Sequence, residues 1–395
     1  MKIIVCGAGQ VGFNIARHLS MESNDVTVVD QAPDRIRMIN DTIDATGFLG
    51  HASDPDVLDR AGTADADMVI AVTYADEVNM VACQVAHSLF DVPMKIARIR
   101  QQSYLDPMWS TLFTRDNMPI DVIISPEREV ARAVGRRLQV PGAFEMIPLA
   151  EDRVKLLGVR CTESCPLINT PLRQLTQLFP DLNIVIIGIF RDGKTMIPDG
   201  NDQMLADDEV YLVVDSTQVQ RTMTAFGLET TEANRLLIFG GGNIGMFIAQ
   251  EVEQNHGWIN AKMIEANPER AQKIATQLDK TIVLSGDVLD SELLEEANVS
   301  QTETVIAVTN DDETNILSSL LAKQFGCQRA LTLINKSVYE PLIGSLGIDV
   351  VVNPRNITVS TILQHVRRGR IHSVHTLREG FGELIEAEAL ATSDL

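Results

Sequence analysis

A chain that carries one pattern twice, in register, is constrained to fold that pattern twice. Lys2-Ile3-Ile4-Val5-Cys6 runs into Gly7-Ala8-Gly9-Gln10-Val11-Gly12, and Leu236-Leu237-Ile238-Phe239 runs into Gly240-Gly241-Gly242-Asn243-Ile244-Gly245. Each is a short apolar strand followed by G-x-G-x-x-G, with an acid, Asp30 or Glu265, at the end of the next strand. Both acids stand about 20 residues beyond the glycines, the separation expected of a carboxylate that holds a ribose hydroxyl. Val72-Thr73-Tyr74-Ala75-Asp76-Glu77-Val78-Asn79 returns as Val308-Thr309-Asn310-Asp311-Asp312-Glu313-Thr314-Asn315. Ile120-Asp121-Val122-Ile123-Ile124-Ser125-Pro126 returns as Ile348-Asp349-Val350-Val351-Val352-Asn353-Pro354. One glycine fingerprint is weak evidence, but two in register with these landmarks mean a duplicated nucleotide-binding unit.

Each glycine answers a separate demand. Gly7 permits the turn out of the strand, Gly9 lets backbone approach a pyrophosphate, and Gly12 lets helix and sheet pack closely. The phosphates then sit on the N-terminus of a helix over Val11–Ser20. The competing reading is a strand–turn–helix that needs small residues for packing alone, and Asp30 weighs against it. An acid at position 30 favours NAD(H) over the 2′-phosphorylated cofactor. Thr73 and Tyr74 fall beyond the C-terminal end of a central strand, where open α/β sheets bind ligands. Asp76 and Glu77 read as helix capping and first-turn charge. Arg98 either reaches inward to a phosphate or is a strand-end surface arginine. The second copy has Thr332-Leu333-Ile334 there and no arginine in register, so the two sites differ. His51 reads as a solvated loop histidine, and Ile15 and Leu19 as core.

Strands alternate with amphipathic helices from Met1 to about Pro126, which predicts a parallel sheet covered on both faces. The strands are Ile3–Cys6, Asp25–Val29, Gly47–Leu49, Met68–Val72, Ile96–Ile99 and Val122–Ile124, and a helix follows over Glu127–Leu138. From Pro141-Gly142 the texture changes to a small α+β domain. Its strands are Leu156–Arg160, Ile184–Phe190 and Val210–Val214, with a hairpin turn at Arg191-Asp192-Gly193-Lys194 and a short helix at Pro171–Leu178. The second parallel unit ends near Pro354, a helix spans Thr358–Arg368, and His372–Leu377 and Gly382–Ala389 read as the opening strands of another small domain. That last domain is expected to be incomplete.

Composition excludes several classes. At 395 residues, with 45% hydrophobic and 22% charged residues, the chain is long enough for several packed domains. A formal charge of −21 opposes a nucleic-acid groove, which needs many Lys and Arg contacts to phosphate. No apolar run approaches the roughly 18 residues that span a bilayer, so a cytoplasmic protein without membrane insertion is expected. The odd cysteine count of 5 suits a reducing compartment. Cys161 and Cys165 lack the second pair of ligands that a zinc site needs.

Together, Gly7–Gly12, Ala71-Val72-Thr73 with Asp76 to Cys83, Thr309 to Glu313 and His365-Val366-Arg367-Arg368-Gly369 resemble the TrkA family. These are cytoplasmic regulatory subunits of bacterial Trk potassium-uptake systems, built from RCK (KTN) domains, and the resemblance covers essentially the whole chain. It implies N-lobe, C-lobe, N-lobe and partial C-lobe at residues 1–138, 139–229, 230–369 and 370–395. It implies NAD(H) on Gly7–Val11, Asp30, Thr73, Tyr74 and Arg98. A second nucleotide, ATP or ADP or again NAD, falls to Gly240–Ile244, Glu265, Thr309 and Asn310. It implies no catalysis, a TrkH/TrkG-type channel as partner on the inner membrane's cytoplasmic face, and a homo-oligomer, read as a tetramer. The helices with Val130, Val134 and Leu138, and with Val359, Ile362 and Val366, are candidates for contacts beyond their own sheets. An NAD-dependent oxidoreductase is the alternative, but no histidine lies between His87 and His256 to serve as acid or base.

Overall fold

The computed structural model describes residues 1–140, 142–179, 182–228, 234–339, 346–366, 371–377 and 382–387. They gather into two compact units: Met1–Glu129 with Pro354–Val374, and Val130–Asn353 with His375–Glu388.

The first unit opens with β1 (Lys2–Cys6), α1 (Gln10–Met21), β2 (Asp25–Asp30), α2 (Pro33–Thr42) and β3 (Thr46–Leu49). It continues with α3 (Pro55–Arg60), β4 (Met68–Ala71), α4 (Asp76–Phe90), β5 (Met94–Arg98) and β6 (Val122–Ile124). All strand pairs are parallel, and the sheet order β3-β2-β1-β4-β5-β6 is that of a Rossmann fold. Strands buried on both faces read as continuous apolar runs, and alternate residues serve opposite faces. Ile3, Val5, Val28 and Ile70 pack with Ile15 and Leu19 of α1 on one face. Ile4, Cys6, Val29 and Val69 pack with Leu58, Met80 and Cys83 on the other.

The helix α5 (Pro126–Gln139) leaves this sheet, and from Val130 onward it belongs to the second unit. There it leads into an antiparallel lobe of β7 (Glu145–Leu149), β8 (Val154–Arg160), α6 (Leu172–Leu178), β9 (Ile184–Arg191), β10 (Lys194–Met196), β11 (Glu209–Asp215) and α7 (Val219–Ala225), in the sheet order β10-β9-β11-β8-β7. The β9–β10 turn places Asp192 and Gly193 at positive φ, as a two-residue hairpin requires. Strand β7 escapes a reading by sequence pattern because it contains Pro148. It lies at the sheet edge, where a missing N–H is tolerated.

A second sheet of Rossmann order follows in the same unit. Its elements are β12 (Arg235–Phe239), α8 (Asn243–Asn255), β13 (Asn260–Glu265), α9 (Pro268–Ala275), β14 (Ile282–Ser285), α10 (Ser291–Glu296), β15 (Thr304–Ala307), α11 (Asp312–Gln324), β16 (Arg329–Leu333) and β17 (Val350–Val352), ordered β14-β13-β12-β15-β16-β17. Buried Arg329 on β16 donates from its guanidinium to the carbonyls of Arg137 and Ala143, tying this sheet to the end of α5. On α5 itself, a Cβ at Gly135 would stand 3.0 Å from Cγ of Glu251 on α8.

The helix α12 (Pro354–Val366) packs on the first sheet. Val359, Ile362, Leu363 and Val366 lie in the core of the first sheet, with Ile15, Leu19 and Ile124. It is the neighbour of α1, although the chain reaches it only after the second sheet. Beyond it, β18 (Ile371–Thr376) and β19 (Glu383–Ala387) form a two-stranded sheet. Leu377 and Leu384 there join Ile147, Leu156 and Tyr211 of the antiparallel lobe, and Glu386 accepts from the Ala150 amide at 2.8 Å. Positions 367 to 370, including Arg367, Arg368 and Gly369 of the family pattern, lie outside the described residues.

Candidate functional site

The two glycine turns have the same geometry. Gly7 and Gly240 adopt φ of +108° and +99°, accessible to glycine at little cost. A Cβ on Gly12 would sit 1.8 Å from the Gly7 carbonyl oxygen, and one on Gly245 1.9 Å from that of Gly240. Those four glycines are required by the protein's own packing. Gly9 and Gly242 are different: a Cβ at either would meet nothing within 4 Å. Burial repeats position by position. Gly7 and Ala8 are buried, Gly9 half-buried, Gln10 exposed, Val11 half-buried and Gly12 buried, and the order recurs from Gly240 through Gly241, Gly242, Asn243 and Ile244 to Gly245. Gly9 and Gly242 are the N-caps of α1 and α8, and neither helix start has a side-chain cap. Each turn therefore presents helix N-terminal amides to an open space, the arrangement that receives a phosphate.

Asp30 and Glu265 close the cradles from the ends of β2 and β13. Asp30 is buried, and its two oxygens accept from the amides of Ala8 at 2.7 Å and Ala32 at 2.8 Å. Glu265 accepts from Gly241 and Asn267, each at 2.8 Å. The acid thus shapes the glycine turn. Reading from sequence missed Arg35 and Arg270, which pair with these acids at 3.4 and 3.7 Å. The signal was present, since Pro33-Asp34-Arg35 and Pro268-Glu269-Arg270 stand at matching distances from the two acids.

Against the glycine turns, Thr73 and Thr309 are held by the side-chain amides of fully buried asparagines. Asn79 Oδ1 accepts from the Thr73 amide at 2.8 Å, and Asn79 Nδ2 donates to the Arg98 carbonyl at 2.8 Å. Asn315 repeats both bonds, with Thr309 at 2.8 Å and the Leu333 carbonyl at 3.0 Å. Tyr74 is 86% exposed, with the Arg100 guanidinium 5.8 Å from its ring, and Asn310 is likewise exposed.

Asp76 corrects a sequence expectation. It stands in the first turn of α4, but its buried carboxylate accepts from the amides of Arg100 and Gln101 at 2.8 and 2.7 Å. It fastens the loop after β5 and does not cap its own helix. Asp312 does the same for Asn335 and Lys336. Exposed Glu77 keeps its first-turn place.

Arg98 faces inward. Its Nη2 donates to the Thr73 carbonyl at 2.7 Å, while its buried Nε has no partner. Burial, then the neighbouring Arg100, lowers its pKa, so an anion close by would be favoured. The matching position on β16 is Leu333, which has no charge to offer.

Comparison with known proteins gives this geometry a family context. The TrkA-N domain family matches residues 3–126 and 236–354, and the TrkA-C domain family matches 156–227. The Trk system potassium uptake protein TrkA of Azorhizobium caulinodans is 55% identical over 395 residues, covering 100% of this chain and 86% of the relative. Among solved structures, the crystal structure of the GsuK RCK domain aligns with a TM-score of 0.63 at 18% identity, covering 91% of this chain and 75% of that one. The GsuK channel bound to NAD aligns with a TM-score of 0.62 at 18% identity, over 92% of this chain and 63% of that one.

Proposed function

Because the chain belongs to the TrkA family, we propose that it is a regulatory subunit of potassium uptake that senses nucleotides and gates a TrkH/TrkG-type membrane channel. The observation that carries the sensing role is the open space at Gly9 and Gly242. Among the described residues, nothing in the packing calls for glycine at either position. A bound phosphate does, because a side chain would occupy its place.

The first site takes NAD(H). Gly7–Val11 receives the pyrophosphate, Asp30 the ribose hydroxyls, and Thr73, Tyr74 and Arg98 the second half of the dinucleotide. The second site, on Gly240–Ile244, Glu265, Thr309 and Asn310, takes ATP or ADP, with NAD as the alternative. The protein works as a homo-oligomer, read as a tetramer, at the cytoplasmic face of the inner membrane and held there by its channel. No helix among the described residues is long and apolar enough to cross a membrane, so force on a gate passes through a partner. A ligand shifts that gate only by binding its two states unequally.

Titrating the full chain with NADH, NAD, ATP and ADP, beside potassium uptake in cells lacking the gene, tests the proposal. Binding with impaired uptake supports it, and normal uptake overturns the regulatory role. Stoichiometric NADH oxidation with a small carbonyl substrate would instead favour the oxidoreductase reading.

A further inference from the structure

The antiparallel lobe holds a cavity of about 260 Å³ that shares no residue with either glycine cradle. Its origin lies in a short edge strand. β10 pairs only with Ile189, Phe190 and Arg191 of β9, so residues 184–188 have no outer strand among the described residues. The cavity opens beside that uncovered half of β9, between α6 and the loop after β10, and Leu167, Leu175, Phe179, Leu182 and Ile186 supply apolar walls. Val185 at its edge is 61% exposed, an apolar side chain left to water. Protein interiors leave few voids larger than a water molecule, so an open apolar space of this size is a place for a ligand.

Among the lining residues only Arg173 and Asp199 carry polar side chains, and both are exposed, which puts them at the mouth. The start of α6 is tied to the loop that bears Asp199. The Arg173 amide donates to the Gly200 carbonyl at 2.9 Å, and a Cβ at Gly200 would stand 3.5 Å from Cβ of Arg173. Asp199 Oδ1 accepts from the Asn201 amide at 2.6 Å, which fixes this carboxylate within its turn. The Arg173 guanidinium forms no ion pair among the described residues, with Asp199 or with any other acid. Two opposite charges therefore flank one apolar space without neutralising each other.

That combination limits the ligand. A simple anion would meet the Asp199 charge, and a simple cation the Arg173 charge. A sugar or a nucleobase would set polar atoms against walls that cannot satisfy them. A zwitterion with one apolar branch suits all three surfaces: its carboxylate takes the planar fork of Arg173, its ammonium takes Asp199, and its branch fills the cavity. At roughly 30 Å³ for each water-sized group, the space holds about nine such groups, the size of leucine. We infer that this lobe binds a free α-amino acid with a large aliphatic side chain. The site is independent of the nucleotide reading of the two cradles and gives the chain a separate small-molecule input.

Calorimetry on the full chain tests this with four probes: L-leucine, isocaproate, which lacks the amine, isoamylamine, which lacks the carboxylate, and glycine, which lacks the branch. L-leucine is expected to bind roughly tenfold or more tighter than each of the others, the scale of a hydrogen bond to a charged group. Asp199→Asn should close the gap between leucine and isocaproate, and Arg173→Gln the gap between leucine and isoamylamine. Both side chains are exposed, so both variants should keep the melting temperature of the unaltered chain. Isocaproate or isoamylamine binding as tightly as leucine would overturn the zwitterion reading. If leucine gives no heat at millimolar concentration, the site itself is overturned. A lower mass of Val185→Asp in light scattering would then assign the same face to a contact between copies of the chain.

Discussion

Gly9 and Gly12 share a motif but answer to different constraints. Gly12 abuts the Gly7 carbonyl, so Gly12→Ala is expected to destabilise the first unit by about 1–3 kcal/mol, the usual cost of overpacking. Gly9→Ala meets no protein atom. It should melt within about 0.5 kcal/mol of the unaltered chain and still lose nucleotide affinity. Urea unfolding and calorimetry on the two variants check this contrast, and a Gly9→Ala protein that binds normally would remove the phosphate from that turn. Asp30→Asn keeps a carbonyl acceptor for one of the two amides but cannot serve both amides and a ribose diol. NAD affinity should fall by roughly 1.5–3 kcal/mol, measured by the same titration. The glycines and acids were legible in the sequence because their spacing is fixed by a local turn and one adjacent strand. The roles of Asn79 and Asp76 were not legible, since their partners lie on β5 and the loop beyond it, and only the folded sheet brings these together. Arg35 was legible only by aligning the two halves past their acids.

At the scale of elements, the strands follow from apolar runs and the helices from spacing, so most were legible to within a residue or two at each end. What sequence pattern does not contain is which sheet a helix joins. The apolar face of α12 reads the same whether it packs on the preceding sheet or on the first, and the structure places it on the first. Ile362 is fully buried there, so Ile362→Ala should cost about 2–5 kcal/mol of stability in the first unit. Hydrogen exchange resolved by peptide would show the loss in β1, β4 and α1 and spare β12 and β15. Exchange rising in the second sheet instead would assign the helix there.

On the scale of the whole molecule, acid acts through histidines of both units, and desolvation lowers the pKa of His365 in the first unit as it does that of His256 in the second. His256, in the second unit, is buried with Nδ1 unpartnered, and burial pulls its pKa below the ordinary 6.5. Between the lowered value and 6.5 the unfolded chain binds more protons, so stability is lost as pH falls through that window. Further down come Glu253 and Glu303. Burial works to raise both, yet the amides of Asp279, Lys280 and Thr281 hold Glu253 below the ordinary carboxylate range, and Arg235 does so for Glu303. Their contribution is present at neutral pH and disappears as they protonate. The second unit should therefore melt earlier at pH 5.5 than at 7.5, and His256→Leu should remove much of that first step. Differential scanning calorimetry across that range measures it, and an unchanged step in the variant would clear His256.

The placement of α12 also sets an order of events during synthesis. A ribosome delivers β1 to β6 first, but the helix that completes their core emerges only after the entire second sheet. Domains translated early usually fold early. Here the first sheet stays partly uncovered until Pro354–Val366 has emerged, and its closing contact joins residues far apart in sequence. The first sheet is therefore finished after the second has been made, and the first cradle becomes fully supported only then.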